Sequence, residues 1–132
     1  MIDVKKVLII DDHPDDAFVS SILFKKEFPT TEIRIEHQAS EALEFLSNST
    51  LNNSVLPEII LLDINMPLMN GFDFLKEFDK LDNDIKMKCK IFMLTSSSDE
   101  KDKEKAFESE YVFGYILKPL NLANIKKQFN KE

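Results

Sequence analysis

Glycine is nearly missing from this chain: of 132 residues only Gly71 and Gly114 are glycine. A Walker-type phosphate loop or a G-x-G-x-x-G dinucleotide turn needs several glycines at close spacing, so nucleotide chemistry of either kind is excluded. Cysteine occurs once, as Cys89. It has no internal disulfide partner, which points to a reducing compartment. Cations are the minority, with Lys+Arg 17 against Asp+Glu 24, a formal net charge of −7 and a pI near 4.9. Nucleic acids and anionic membrane surfaces are held by clustered cations, so neither is an expected partner. Long apolar runs are missing too. None approaches the ~20 residues of a membrane span. Val7–Ile10 is too short for a signal-peptide core and leads into acidic residues. The expectation is a cytoplasmic protein, one domain over residues 1–132, large enough to bury a core. Hydrophobic residues at 43% and charged residues at 31% agree with an ordered globular chain.

What the chain does have is a set of short apolar runs, each ending on polar residues. Val7-Leu8-Ile9-Ile10 ends on Asp11-Asp12, Ile59–Leu62 on Asp63, Ile91–Leu94 on Thr95-Ser96-Ser97-Ser98, and Phe113–Leu117 on Lys118-Pro119. Runs of this length without polar alternation suit strands buried on both faces of a parallel sheet. Ile33–Glu36 alternates and reads as a strand nearer a sheet edge. Between the strands lie helical patterns. Pro14 suits a first helical turn, Asp15 and Asp16 favour the positive end of the helix dipole and are read as doing only that, and Phe18, Val19, Ile22 and Leu23 are the expected apolar face, with Pro29 closing the helix. Ser40 is a cap candidate before Ala42–Leu46, and Asn48–Ser54 is a polar loop. Gly71–Leu81 is a third helix, Asp82–Lys90 a charged connector, and Asp99–Glu110 a highly charged helix resting on Ala106 and Phe107. Leu122, Ile125 and Phe129 mark a last short helix. The order is (βα)5, which implies an α/β fold: a doubly wound, five-stranded parallel sheet with helices on both faces.

In such folds ligands sit beyond the carboxyl ends of the strands, so Asp11, Asp12, Asp63, Thr95 and Lys118 share one edge. Three neighbouring carboxylates repel and call for a cation or for raised pKa values. Magnesium takes one or two carboxylates plus phosphate oxygens. Asp63 can then act as a nucleophile toward a phosphoryl group, with Lys118 and Thr95 reaching phosphoryl oxygens. Asp11-Asp12, Asp63-Ile64-Asn65-Met66-Pro67 with Gly71, Thr95-Ser96 and Lys118-Pro119 together resemble the receiver domain of two-component response regulators, the CheY-like family, over essentially the whole chain. The resemblance implies a flavodoxin-like sheet with strand order 2-1-3-4-5. It makes Asp63 the phospho-acceptor, served by a histidine kinase or His-containing phosphotransfer protein. It assigns Mg2+ to Asp12, Asp63 and the Asn65 backbone carbonyl, with Asp11 acting through water. It gives Lys118 and Thr95 to the phosphoryl group, makes Thr95 and Tyr115 a switch pair, and puts Asn65 and Ser97 where dephosphorylation is tuned. It further implies a cis Lys118-Pro119 bond. The opening Asp-Asp-His-Pro-Asp-Asp is also similar to the stand-alone regulators that serve phytochrome-type kinases.

Each residue has a plainer reading. Asp63 alone is equally a strand-end cap, Thr95 a helix cap, Lys118 a surface lysine and Tyr115 a half-buried core residue. His13 reads as a loop residue on the pocket rim, because a hard magnesium site prefers oxygen. His37 reads as an exposed strand-end residue, Cys89 as packing, and Phe72, Phe74 and Phe78 as core or interface. The expected function is a two-component response regulator that signals to a downstream protein through the face formed by the Asp99–Glu110 helix, the fifth strand and the last helix. A homodimer on activation is one form such output takes. No output domain is expected to follow, and the expected activity is limited to self-phosphorylation and slow self-dephosphorylation. The alternatives are an unphosphorylated receiver-like adaptor and a magnesium-dependent phosphatase with an Asp nucleophile. The second wants an acid two residues after the nucleophile, where this chain has Asn65.

Overall fold

A computed structural model describes residues 4–49, 55–121, 123–124 and 127. The elements follow as β1 (Lys6–Ile10), α1 (Pro14–Glu27), β2 (Glu32–Glu36), α2 (Ala39–Asn48), β3 (Ile59–Leu62), α3 (Gly71–Phe78), α4 (Asn83–Lys88), β4 (Lys90–Thr95), α5 (Glu100–Phe107) and β5 (Val112–Leu117). The strands pair in parallel, as the alternation of apolar runs and helices predicts, and their order is β2-β1-β3-β4-β5, the one the family resemblance implies. The last helix expected at Leu122, Ile125 and Phe129 lies outside the described residues.

Successive strand residues point to opposite faces, and the apolar runs therefore feed two cores. Leu8, Ile10, Ile60, Leu62, Ile91 and Met93 pack with Leu46, Phe74 and Phe78 on one face. Val7, Ile9, Ile59, Leu61, Phe92 and Leu94 pack with Ala17 and Phe24 on the other. Cys89 joins the first core, and burial pushes its thiol up to about 12, in keeping with a packing role.

Four local expectations are corrected. In α1 the buried face is Ala17, Ser20 and Phe24, whereas Phe18, Val19 and Ile22 are exposed. Apolar residues occur all round this helix, and the small pair Ala17 and Ser20 allows the closer approach to the sheet. The charged connector contains α4, seated on buried Ile85. Ser40 does not cap α2: its N-cap position is Gln38, with no side-chain cap. On α5 Ala106 is buried but Phe107 is exposed.

Candidate functional site

Ladder hydrogen bonds continue one residue past the strands and fix the site's backbone. Asp63 N donates to Ile10 O at 3.0 Å, and Lys118 N donates to Thr95 O at 2.9 Å. Asp11, Asp63 and Thr95 are thereby buried together at the carboxyl edge. The strand order reverses between β1 and β3, where an open α/β sheet leaves its crevice. Asp11 and Asp63 end those two strands.

Lys118 closes the edge from β5. Its Nζ lies 2.7 Å from Asp11 Oδ2, 3.0 Å from Asp16 Oδ2 and 3.1 Å from Asp63 Oδ2. An ammonium has three donors, and each has its own carboxylate. Burial alone would lower the lysine's pKa, but the hydrogen bonds it donates to Asp11, Asp16 and Asp63 overturn that and hold the charged form. Asp11 is raised above the ordinary aspartate value, chiefly by burial, against the lowering effect of Lys118 and of the His13 backbone. The Lys118-Pro119 bond is cis.

The β1–α1 turn carries the remaining acids. His13 N donates to Asp11 Oδ1 at 3.0 Å, and the His13 ring Nδ1 lies 3.2 Å from Asp12 Oδ1. That Asp12 oxygen is buried yet has no hydrogen-bond partner. His37 Nδ1 sits 2.9 Å from the Asp11 backbone oxygen. A carbonyl only accepts, so this nitrogen carries the proton, and His37 braces the turn rather than simply ending a strand.

Asp11, Asp12, His13 and Asp63 each offer a ligand atom, all within 4.8 Å of one another. Lys118 pairs with Asp11 and Asp63, whereas the buried Asp12 oxygen has only the His13 ring beside it and makes no hydrogen bond. An oxygen-rich set with that deficit fits a hard divalent cation such as Mg2+. Asn65 stands exposed two residues beyond Asp63.

Thr95 is fully buried, and its Oγ1 accepts from Ser97 N at 3.3 Å. Tyr115, half-buried on β5, donates its hydroxyl to Ser97 O at 2.9 Å; burial raises its phenol pKa. The Ser97 hydroxyl donates to Asp102 on α5 at 2.6 Å. Ser97 thus links Thr95, Tyr115 and α5.

The edge therefore brings together Asp11, Asp12, Asp63, Thr95 and Lys118 as the strand ends predict. It also adds Asp16, read from sequence as a dipole residue only. Its contact is with Lys118, 102 residues away in sequence, so no local spacing signals it.

Fold and edge together define a receiver domain of a two-component response regulator. The chain belongs to the response regulator receiver domain family, whose model matches residues 7–130. It is 30% identical to the response regulator Rcp1 of Synechocystis sp., covering 93% of this chain and 82% of that protein. It is also 30% identical to hybrid signal transduction histidine kinase I of Dictyostelium discoideum, over 89% of this chain but only 6% of that much longer protein. Among solved structures, a two-component response regulator from Cytophaga hutchinsonii superimposes with a TM-score of 0.88 at 30% identity, covering 98% of this chain and 97% of that one. Among the described residues no helix is long and apolar enough to cross a membrane.

Proposed function

We propose that Asp63 accepts a phosphoryl group from the phosphohistidine of a histidine kinase or His-containing phosphotransfer protein. One observation carries this reading: Asp63 is a buried carboxylate at the switch point of the sheet, 3.1 Å from Lys118 Nζ and grouped with Asp11 and Asp12. In the transfer the donor's N–P bond breaks and an Asp63 O–P bond forms, leaving a neutral imidazole on the donor. Lys118 neutralises charge on the transferred group, and the Thr95 hydroxyl donates to one of its oxygens. Asp11, Asp12, Asp63 and the Asn65 carbonyl would hold Mg2+, which supplies charge neutralisation at the phosphoryl oxygens when bound.

Phosphorylation adds charge beside Thr95. The Thr95–Ser97–Tyr115 hydrogen bonds are the connection from there to α5. Leu117 and Phe113 are exposed on the edge strand β5, and Phe107 is exposed on α5. Those exposed apolar residues support output to a downstream protein or to a second copy of the chain. The exposed Phe18, Val19 and Ile22 of α1, near the Lys118 side of the edge, support docking of the donor.

Intact mass with Mg2+ and acetyl phosphate tests the assignment, with wild type beside Asp63→Asn. Wild type is expected to gain one phosphoryl group and the variant none. Labelling of the variant moves the acceptor elsewhere. A folded wild type that stays unlabelled supports an unphosphorylated adaptor, and continuous release of phosphate from a phosphoester supports a phosphatase.

A further inference from the structure

We propose that Asp16 is a positioning residue that holds the Lys118 ammonium over the acceptor. This role rests on the reading of Asp63 as the phosphoryl acceptor. The three carboxylates on Lys118 come from three places: the end of β1, the end of β3 and the first turn of α1. They are not equivalent. Asp11 and Asp63 both belong to the group of ligand atoms that could hold a cation, and Asp16 does not. Cation binding and phosphorylation therefore change what Asp11 and Asp63 offer to Lys118, while Asp16 keeps its charge and its place.

A lysine is a point charge on a flexible four-carbon stem. A partner that persists through the reaction limits where that charge can go. Asp16 is well set for this, because Pro14 fixes the first turn of α1 from which it projects. Its side chain is 46% exposed whereas that of Lys118 is 11% exposed. Asp16 is thus the outer limb of the clamp, facing a cleft of about 240 Å³ also lined by Val19, Ser20, Ser96 and Pro119.

The plainer account is that Asp16 only complements the helix dipole. Asp15 supplies the control, being an exposed acid in the same turn. A dipole effect treats the two alike, whereas a clamp on Lys118 involves Asp16 alone.

The test compares wild type with Asp16→Asn, Asp16→Ala and Asp15→Asn, each checked for an intact fold by circular dichroism. The first readout is the rate of reductive methylation of Lys118, followed by peptide mass spectrometry in the unphosphorylated protein without cation. The second is the dependence of phosphorylation rate on acetyl phosphate concentration at saturating Mg2+. Asp16→Ala should raise Lys118 methylation and lower the maximal phosphorylation rate by about fivefold to tenfold, since loss of orientation penalises the chemical step. The half-saturating concentration should change little. Asp16→Asn, which keeps an acceptor but no charge, should fall between, and Asp15→Asn should match wild type. If the Asp16 variants match Asp15→Asn in both readouts, the role of Asp16 is overturned while Asp63 remains the acceptor. A wild type that takes no phosphoryl group overturns the acceptor reading and this role with it.

Discussion

Leu68 is the residue whose conformation most needs a reason. Its φ is 69°, in the region where an L side chain crowds its own backbone, and Met69 N donates to Pro67 O at 2.7 Å across it. That is a three-residue turn of the rarer, strained hand. Its side chain is 98% exposed, so no burial offsets the strain. The turn lies between Asp63 and the Asn70 cap of α3, and it gives the chain the reversal it needs in very few residues. Strain of this kind costs about 1–3 kcal/mol, and the extra unfolded-state entropy of glycine returns only part of that. Leu68→Gly is therefore expected to stabilise the protein by roughly 1 kcal/mol, seen in urea as a higher midpoint with an unchanged slope. An unchanged or lower midpoint would mean that the leucine makes a contribution in the folded chain that its exposure does not reveal. The Pro67-to-Gly71 turn is legible in sequence from its proline, asparagine and glycine. The strained residue is not, because nothing marks a leucine as the one that takes the positive φ.

At the level of elements, the approach of α3 to the end of β3 governs the site. A Cβ placed on Gly71 would lie 2.5 Å from the Asp63 backbone oxygen and 2.9 Å from Ile64 Cα. Gly71 N donates to Ile64 O at 2.8 Å, and Asn70 and Asp73 form a reciprocal capping box at the same place. The helix start is locked against the acceptor's own backbone. Alanine in a helix ordinarily gains about 1 kcal/mol over glycine, but here it meets backbone, which has no rotamer to move away with. Gly71→Ala is expected to lower stability by roughly 2 kcal/mol through overpacking and to slow phosphorylation of Asp63. Thermal unfolding and the acetyl phosphate rate check both, and a variant matching wild type in each would show that α3 can withdraw without moving Asp63. The same level separates what sequence discloses from what it hides. Strands β1, β3, β4 and β5 are legible because an unbroken apolar run followed by a polar residue describes a buried strand and its exit. The core face of α1 is hidden because Phe18, Val19, Ile22 and Phe24 surround the helix, so periodicity selects no side, and the choice falls to the small residues Ala17 and Ser20. Helix α4 is hidden because its one buried residue, Ile85, sits in a charged segment. The Asp16–Lys118 contact joins residues 102 apart, which no local pattern encodes.

Across the whole molecule, folding gathers acid that an already acidic chain must then stabilise. The net charge is −7, and Asp11, Asp12, Asp16 and Asp63 converge on one lysine and one histidine. The raised pKa of Asp11 shows the sign of the cost. Its folded value lies above the ordinary value of 3.8, so through that window the folded state binds more protons than the unfolded state. Stability from this group is therefore lost as the pH rises through the raised value, because ionising a buried carboxylate is then unfavourable. A divalent cation reverses the balance, since it binds the ionised carboxylates and only the folded chain presents them together. At a concentration about a hundredfold above its dissociation constant, such a ligand adds roughly 2.7 kcal/mol, which for a domain of this size moves the thermal midpoint by on the order of 10 °C. Mg2+ is thus expected to raise the midpoint strongly at pH 7.5 and progressively less as the pH falls toward the carboxylate range. Asp12→Asn, which replaces the carboxylate whose buried oxygen makes no hydrogen bond, should lose most of that gain while melting at least as high as wild type without the cation. Differential scanning calorimetry with and without Mg2+ at both pH values checks this. A cation effect that is independent of pH, or that survives in Asp12→Asn, would place the binding somewhere other than this sheet edge.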